Sequence, residues 1–142
     1  MKKQGSILIE VMVSIMILSL TTTFVISTSI QNTDILKERI LLEEVNRAVS
    51  NLIHEFKYNM TKDEIEKLLI DEKIGFKYDK DFSRRLFDSE IKNLEAGEDI
   101  EVTKISEDSV GLKLNIQVKI KTEKNEVTLE NEFTKSWWMD EI

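Results

Sequence analysis

The chain has 142 residues and no cysteine, which bounds it to one membrane element and one small domain and excludes a disulfide framework, a thiol nucleophile and a thiolate metal site. Its formal net charge of −7 leaves no basic surface for the phosphates of nucleic acid or for anionic lipid headgroups, so no direct nucleic-acid contact is expected. Proline is absent and the four glycines are scattered, so no phosphate-cradling loop is present either.

Lys2 and Lys3 open the chain, and from Val11 to Ile30 it carries no charge. That run supplies the ~20 predominantly apolar residues a bilayer span needs, softened by Ser14, Ser19 and Thr21 to Thr23. Val11, Ile15, Leu18 and Phe24 mark the span, and one carboxylate, Glu10, stands at its start. An acidic side chain at the centre of a span costs roughly 2.5–3.5 kcal/mol on insertion scales and less near an end, and such a residue is a functional candidate. By the positive-inside rule Lys2 and Lys3 hold this end in the cytoplasm, which gives a single pass with the C-terminal domain outside. Two ordinary readings compete. A secretory signal peptide fits the basic start, but it tolerates a carboxylate in its apolar region poorly, and its best small-x-small cleavage site is Ser27-Thr28-Ser29. A plain signal anchor needs no Gly5–Glu10 pairing.

The run Gly5-Ser6-Ile7-Leu8-Ile9-Glu10-Val11-Met12-Val13-Ser14 resembles the processing site of type IV pilin-like proteins, from Met1 to about Val25. The family usually carries phenylalanine where Ser6 stands, and this span lacks the proline that kinks major pilins. The resemblance implies a prepilin peptidase that cuts after Gly5, N-methylation of Ser6, and Glu10 at the fifth mature position. It further implies that Glu10 pairs with the N-terminal amine of an adjacent subunit, the amine set free by the cut. A bridge to Ser6's own amine is the self-contained alternative. Glycine suits a peptidase that needs close backbone approach, and a lone carboxylate in lipid should find a cation.

Beyond the span, Gln31 to Asp34 is polar but holds no helix breaker. Ile35, Leu42, Val45, Val49, Leu52 and Phe56 then recur at helical spacing, with Lys37, Glu38, Arg39, Glu43, Glu44 and Arg47 on the remainder. One continuous helix from Ser6 to about Tyr58 is expected, roughly 80 Å long at 1.5 Å per residue. Residues 6–30 form its membrane half and 31–60 its amphipathic half. A free coiled coil is the other reading of the second half. Thr61 and Glu64 have capping-box spacing ahead of Ile65, Leu68 and Leu69, and Gly75 is the candidate for closing the turn after that helix. Residues 61–99 read as a short helix, a short strand at Ile74–Tyr78 and a variable loop with one helical turn.

From Val110 to Lys121 apolar and polar residues alternate without error, which predicts a strand with one buried and one wet face. Glu107-Asp108-Ser109 separates it from a strand at Ile100–Ile105, and Glu123-Lys124-Asn125 from one at Glu126–Lys135. Residues 100–142 therefore read as an antiparallel meander. Its apolar face needs a cover, and the Ile35–Phe56 stripe is the long one available. The fold class expected is α+β, a long N-terminal helix on a C-terminal antiparallel sheet, which is also the architecture the resemblance implies.

Candidates for chemistry are few. The single histidine, His54, reads as a rim residue of the helix. Asp79-Lys80-Asp81 and Glu98-Asp99 lack the alternating ligands and bidentate glutamate of a calcium loop and read as solvated charge, so no metal and no cofactor is expected. Trp137 and Trp138, placed on a strand, would point to opposite faces; both packing on the domain and contact with a partner subunit are open. The expectation is a non-enzymatic minor pilin or pseudopilin with Gly5 and Ser6 as processing residues and Glu10 as assembly residue. Its partners are the prepilin peptidase, other pilin-like subunits and the membrane, with no small-molecule substrate. A pseudopilin of a type II secretion or competence DNA-uptake system, and a signal-anchored surface binder that does not polymerise, are the alternatives.

Overall fold

The computed structural model describes residues 2–89, 91–122 and 126–140. The expected turn at Glu123-Lys124-Asn125 lies outside them. The chain divides into two units between Leu41 and Leu42.

Helix α1 runs from Lys2 to His54, 53 residues, and passes into a π-helical turn at Glu55–Asn59 before Met60 becomes extended. It is long and apolar enough to cross a membrane. Helix α2 (Lys62–Leu68) starts at the predicted capping box: the Glu64 amide donates to the Thr61 hydroxyl, and the Thr61 amide donates to the Glu64 carboxylate at 3.0 Å. Strand β1 (Lys73–Phe76) follows a two-residue turn in which Asp71 and Glu72 both have positive φ, 52° and 64°. Gly75 therefore does not close the turn as expected; it sits inside β1. A Cβ there would lie 2.2 Å from the Gly97 carbonyl oxygen, so close backbone approach is what requires glycine. The stretch expected as a variable loop with one helical turn holds α3 (Phe82–Asp88) and a 3₁₀ turn at Ile91–Asn93.

Strands β2 (Ile100–Glu107), β3 (Gly111–Lys121) and β4 (Glu126–Ser136) complete a sheet in the order β1-β2-β3-β4, every neighbour antiparallel. The meander is as expected, except that the predicted strand at Ile74–Tyr78 spans Lys73–Phe76 and β3 begins at Gly111. Val110 instead belongs to the turn, where the Asp108 carboxylate accepts from its amide, and it is exposed.

The core of the head, which begins at Leu42, follows from the period-two pattern of β3. Leu112, Leu114, Ile116 and Val118 are fully buried beside Ile100 and Val102. Val45, Ala48, Val49 and Leu52 of α1, then Phe56, bury the other side, joined by Ile65, Phe76, Phe82 and Leu86. Full burial of one such side chain is worth about 1.5–3 kcal/mol. This segment of α1 is therefore no free coiled coil. The covering stripe starts at Val45 rather than Ile35, however: Ile35 and Leu42 remain 50% and 37% exposed. The buried set includes Ile65 of α2 and Phe82 and Leu86 of α3 instead.

Candidate functional site

The N-terminal unit has no interior. Gly5, Ser6 and Glu10 are exposed on α1, and nothing lies within 4 Å of a Cβ built on Gly5. In the uncut chain the helix passes straight through the Gly5–Ser6 bond, so the Ser6 nitrogen is a peptide nitrogen and offers no charge. Glu10 has no ion-pair partner among the described residues. Its backbone carbonyl accepts the Ser14 hydroxyl at 2.7 Å.

That bond is one of a series. The hydroxyls of Ser19, Thr22, Thr23, Thr28, Ser29 and Thr33 each donate to the carbonyl four residues earlier, at 2.8–2.9 Å. Thr21 reaches the carbonyls of Ile17 and Leu18. In a medium without water these hydroxyls would otherwise stay unsatisfied at a cost of several kcal/mol each. The helix backbone absorbs them, so the polar residues that soften the run do not prevent it from lying in lipid. Val11, Ile15, Leu18 and Phe24 are exposed by 50–74%.

The apolar surface does not stop where the polar stretch Gln31 to Asp34 interrupts the run. Leu36 and Ile40, one turn apart, are 58% and 48% exposed, next to Ile35 and Leu42. Sequence reasoning assigned Ile35 and Leu42 to the head and did not single out Leu36 or Ile40; their i, i+4 spacing was the available signal.

In the head, Trp137 and Trp138 are not on a strand. The Trp137 amide donates to the Val110 carbonyl at 3.2 Å, closing the ladder, and the chain then turns into a 3₁₀ segment, Trp137–Asp140. Successive side chains of such a turn lie about 120° apart rather than opposite. Both rings stay at the surface, 58% and 48% exposed, and neither closes the core. Lys135 does so instead. It is 2% exposed, and its ammonium donates to the Lys57 carbonyl at 2.7 Å, in the π-helical turn that ends α1. The negative end of a helix with its unpaired carbonyls is a favourable place for a cation.

Charge elsewhere on the head is arranged in surface ties. Glu107 accepts from Lys104 at 2.8 Å and from Lys62, and these hydrogen bonds hold its carboxyl down at about 2. Asp79 accepts from Arg85 at 2.6 Å, and the Asp99 carboxylate accepts the Tyr78 amide at 2.9 Å, so both acidic pairs serve the loop between β1 and β2. His54 is exposed, with its ring 5.3 Å from that of Tyr58. Among the described residues no group of histidine, cysteine and carboxylate side chains is placed to hold a metal. A cleft of about 410 Å³ is lined by Met60, Leu86 and Phe87 together with Glu64, Asp88 and Ser89; the Ser89 hydroxyl donates to the Arg85 carbonyl at 2.6 Å, and the Glu64 carboxylate accepts from the Thr61 amide.

The chain matches no protein-family model, no curated protein and no solved structure.

Proposed function

We propose that this chain is a non-enzymatic filament subunit of the type IV pilin-like class, a minor pilin or pseudopilin. In this reading it inserts in the cytoplasmic membrane with its head outside, is cut after Gly5, and is extracted into a pilus-like filament. The observation that carries the reading is the uncovered apolar surface of α1. It runs from Ile7 to Ile30, resumes beyond the polar Gln31 to Asp34 at Ile35, Leu36 and Ile40, and bears one unpaired carboxylate near its start. A plain anchor needs apolar surface only where lipid meets it. Leu36 and Ile40 lie beyond Asp34, where water would otherwise meet them, and contiguous exposed apolar surface marks an association site. A neighbouring subunit's helix would cover them.

Cleavage at Gly5–Ser6 supplies the missing cation. The new ammonium at Ser6 and the carboxylate of Glu10 are both stranded in lipid until they meet, whether within one chain or between neighbours. Pairing between neighbours sets the axial step of assembly, since a misplaced subunit leaves a charge unpaired. The exposed Trp137 and Trp138 are candidate contacts between heads. A pseudopilin serving type II secretion or DNA uptake shares all these features. A surface binder that never polymerises would not need them.

The test is Glu10→Ala in the native cell. The variant should insert and be processed as before, yet disappear from the sheared filament fraction and lose its cross-links to neighbouring subunits. Unchanged recovery in filaments would contradict the reading.

A further inference from the structure

The two edges of the sheet are finished differently. On β1 three of the outward backbone groups are taken by the chain itself. The Lys73 amide donates to the Ile70 carbonyl at 3.1 Å, the Gly75 carbonyl accepts the Gly97 amide at 3.3 Å, and the Lys77 amide donates to the Glu95 carbonyl at 2.9 Å. Bridges from Ile70 to Lys73 and from Ala96 to Phe76 already lie along that edge.

On β4 the outward groups can be named from the ladder. The Trp137 amide bonds the Val110 carbonyl, and antiparallel pairs alternate between bonded and non-bonded, so the odd residues of β4 turn their backbone groups toward β3. The other side of β3 agrees, since the Lys119 amide bonds the Asp99 carbonyl toward β2. The outward groups of β4 therefore belong to Glu126, Thr128, Glu130, Glu132, Thr134 and Ser136, of which the first four are exposed, with no backbone partner beyond the sheet among the described residues. Edge strands are usually blunted by proline, a bulge, shortness or outward lysine. This one has 11 residues, no proline, no register shift against β3, and its single lysine is turned inward.

We infer that the β4 edge is a docking site for an extended basic segment of a different protein, which adds to the sheet as a fifth, antiparallel strand. Charge selects the occupant. The wet face of β4 presents Glu126, Glu130 and Glu132, and β3 meets it with a basic and amide face: Lys113 reaches Glu132 at 2.7 Å, Asn115 reaches Glu130 at 2.8 Å and Lys121 reaches Glu126 at 3.9 Å. A carboxylate has acceptor capacity left for a second cation on its far side. A second copy is disfavoured as occupant, because β4 against β4 sets glutamate opposite glutamate and the chain's own segments at Ile70 and Ala96 lie along the β1 edge. A strand that runs antiparallel to β4 with lysines on its wet face also turns the backbone groups of those lysines toward β4, as Lys119 turns toward β2. The inference does not depend on the filament reading.

The test uses the full chain in detergent micelles and a peptide with the sequence Gly111–Lys121, which carries that lysine pattern. Amide hydrogen exchange is followed residue by residue. The peptide should slow exchange at Glu126, Thr128, Glu130 and Glu132 by about tenfold or more, while the β3-bonded amides of Val127 and Leu129 keep their rates. A peptide with glutamate at the three lysine positions should give no protection. Glu130→Pro removes an outward donor without touching the β3 ladder and should abolish the effect. Glu130→Lys with Glu132→Lys, which leaves the backbone intact, should weaken peptide binding about tenfold. Unchanged exchange at saturating peptide overturns the proposal. So does equal binding by the charge-reversed peptide, and so does protection of these amides by self-association without any peptide.

Discussion

Two stretches of one helix carry comparable apolar sequence and reach opposite states. From Val45 to Phe56 the apolar positions Val45, Ala48, Val49, Leu52 and Phe56 are at most 1% exposed, while from Ile7 to Leu42 the large apolar residues, the half-buried Leu41 apart, are exposed by 37–74%. The first stretch is completed by the chain's own sheet. The second stays largely uncovered among the described residues. A single secondary-structure element thus holds one surface that belongs to folding and another that belongs to surroundings, lipid first and neighbouring helices afterwards in the reading proposed above.

The comparison breaks most visibly at matched leucines. Leu52→Ala should destabilise the head by about 2–5 kcal/mol, as large-to-small changes at fully buried sites do, read as a lower denaturation midpoint. Leu36→Ala with Ile40→Ala should leave that midpoint unchanged and reduce recovery of the protein in filaments. If Leu36→Ala with Ile40→Ala lowers the midpoint as Leu52→Ala does, the division between the two surfaces is wrong.

A smaller effect is expected where the buried stretch ends. Lys135→Met keeps the side chain's bulk and removes its ammonium, leaving the Lys57 carbonyl without that donor. A loss of about 1–3 kcal/mol is expected for a shielded acceptor left unsatisfied, measured by the same denaturation curve.

The smallest effect is the pH response of the surface tie at Glu107. Its carboxyl titrates at about 2 in the folded chain against an ordinary 4.5, because Lys104 and Lys62 bond the ionised form. A depressed value means that the tie stabilises fully above pH 4.5 and is lost as the pH falls through about 2. Thermal midpoints should therefore decline over that window, and the decline should be shallower in Glu107→Gln. The group is solvated, so the difference should be slight.

Much of this architecture was legible because long periodic segments declare themselves. The alternation through Leu112, Leu114, Ile116 and Val118 is a geometric consequence of the pleat, and no context was needed to read it. The capping box at Thr61 and Glu64 is local chemistry and equally readable. What failed depended on where elements stop. Trp137 and Trp138 were read as strand because β4 gives no breaker, yet the ladder ends with the bond to Val110 and the chain turns. Asp71 and Glu72 adopt positive φ without being glycine, so the turn carried no sequence mark and Gly75 drew the assignment instead. Lys135 sat in phase with Val127 and Phe133 on β4 and could have been read as inward-facing, but a lysine is seldom assigned to a core without a visible acceptor. That acceptor is a carbonyl far away in sequence. At the candidate site, Gly5, Ser6 and Glu10 rest on the motif alone, whereas the exposure of Leu36 and Ile40 emerged only from the burial of the folded head, whose core begins at Val45.

The central claim, that the helix is made ready for assembly by a cut beside Glu10, is tested most directly by the intact mass of the mature protein from its native cells. The account predicts a chain that begins at Ser6, heavier by one methyl group if the new amine is modified. A chain that still begins at Met1, or that begins near Thr28 to Ile30, would contradict it and leave an anchored or secreted domain whose exposed helix surface needs another explanation.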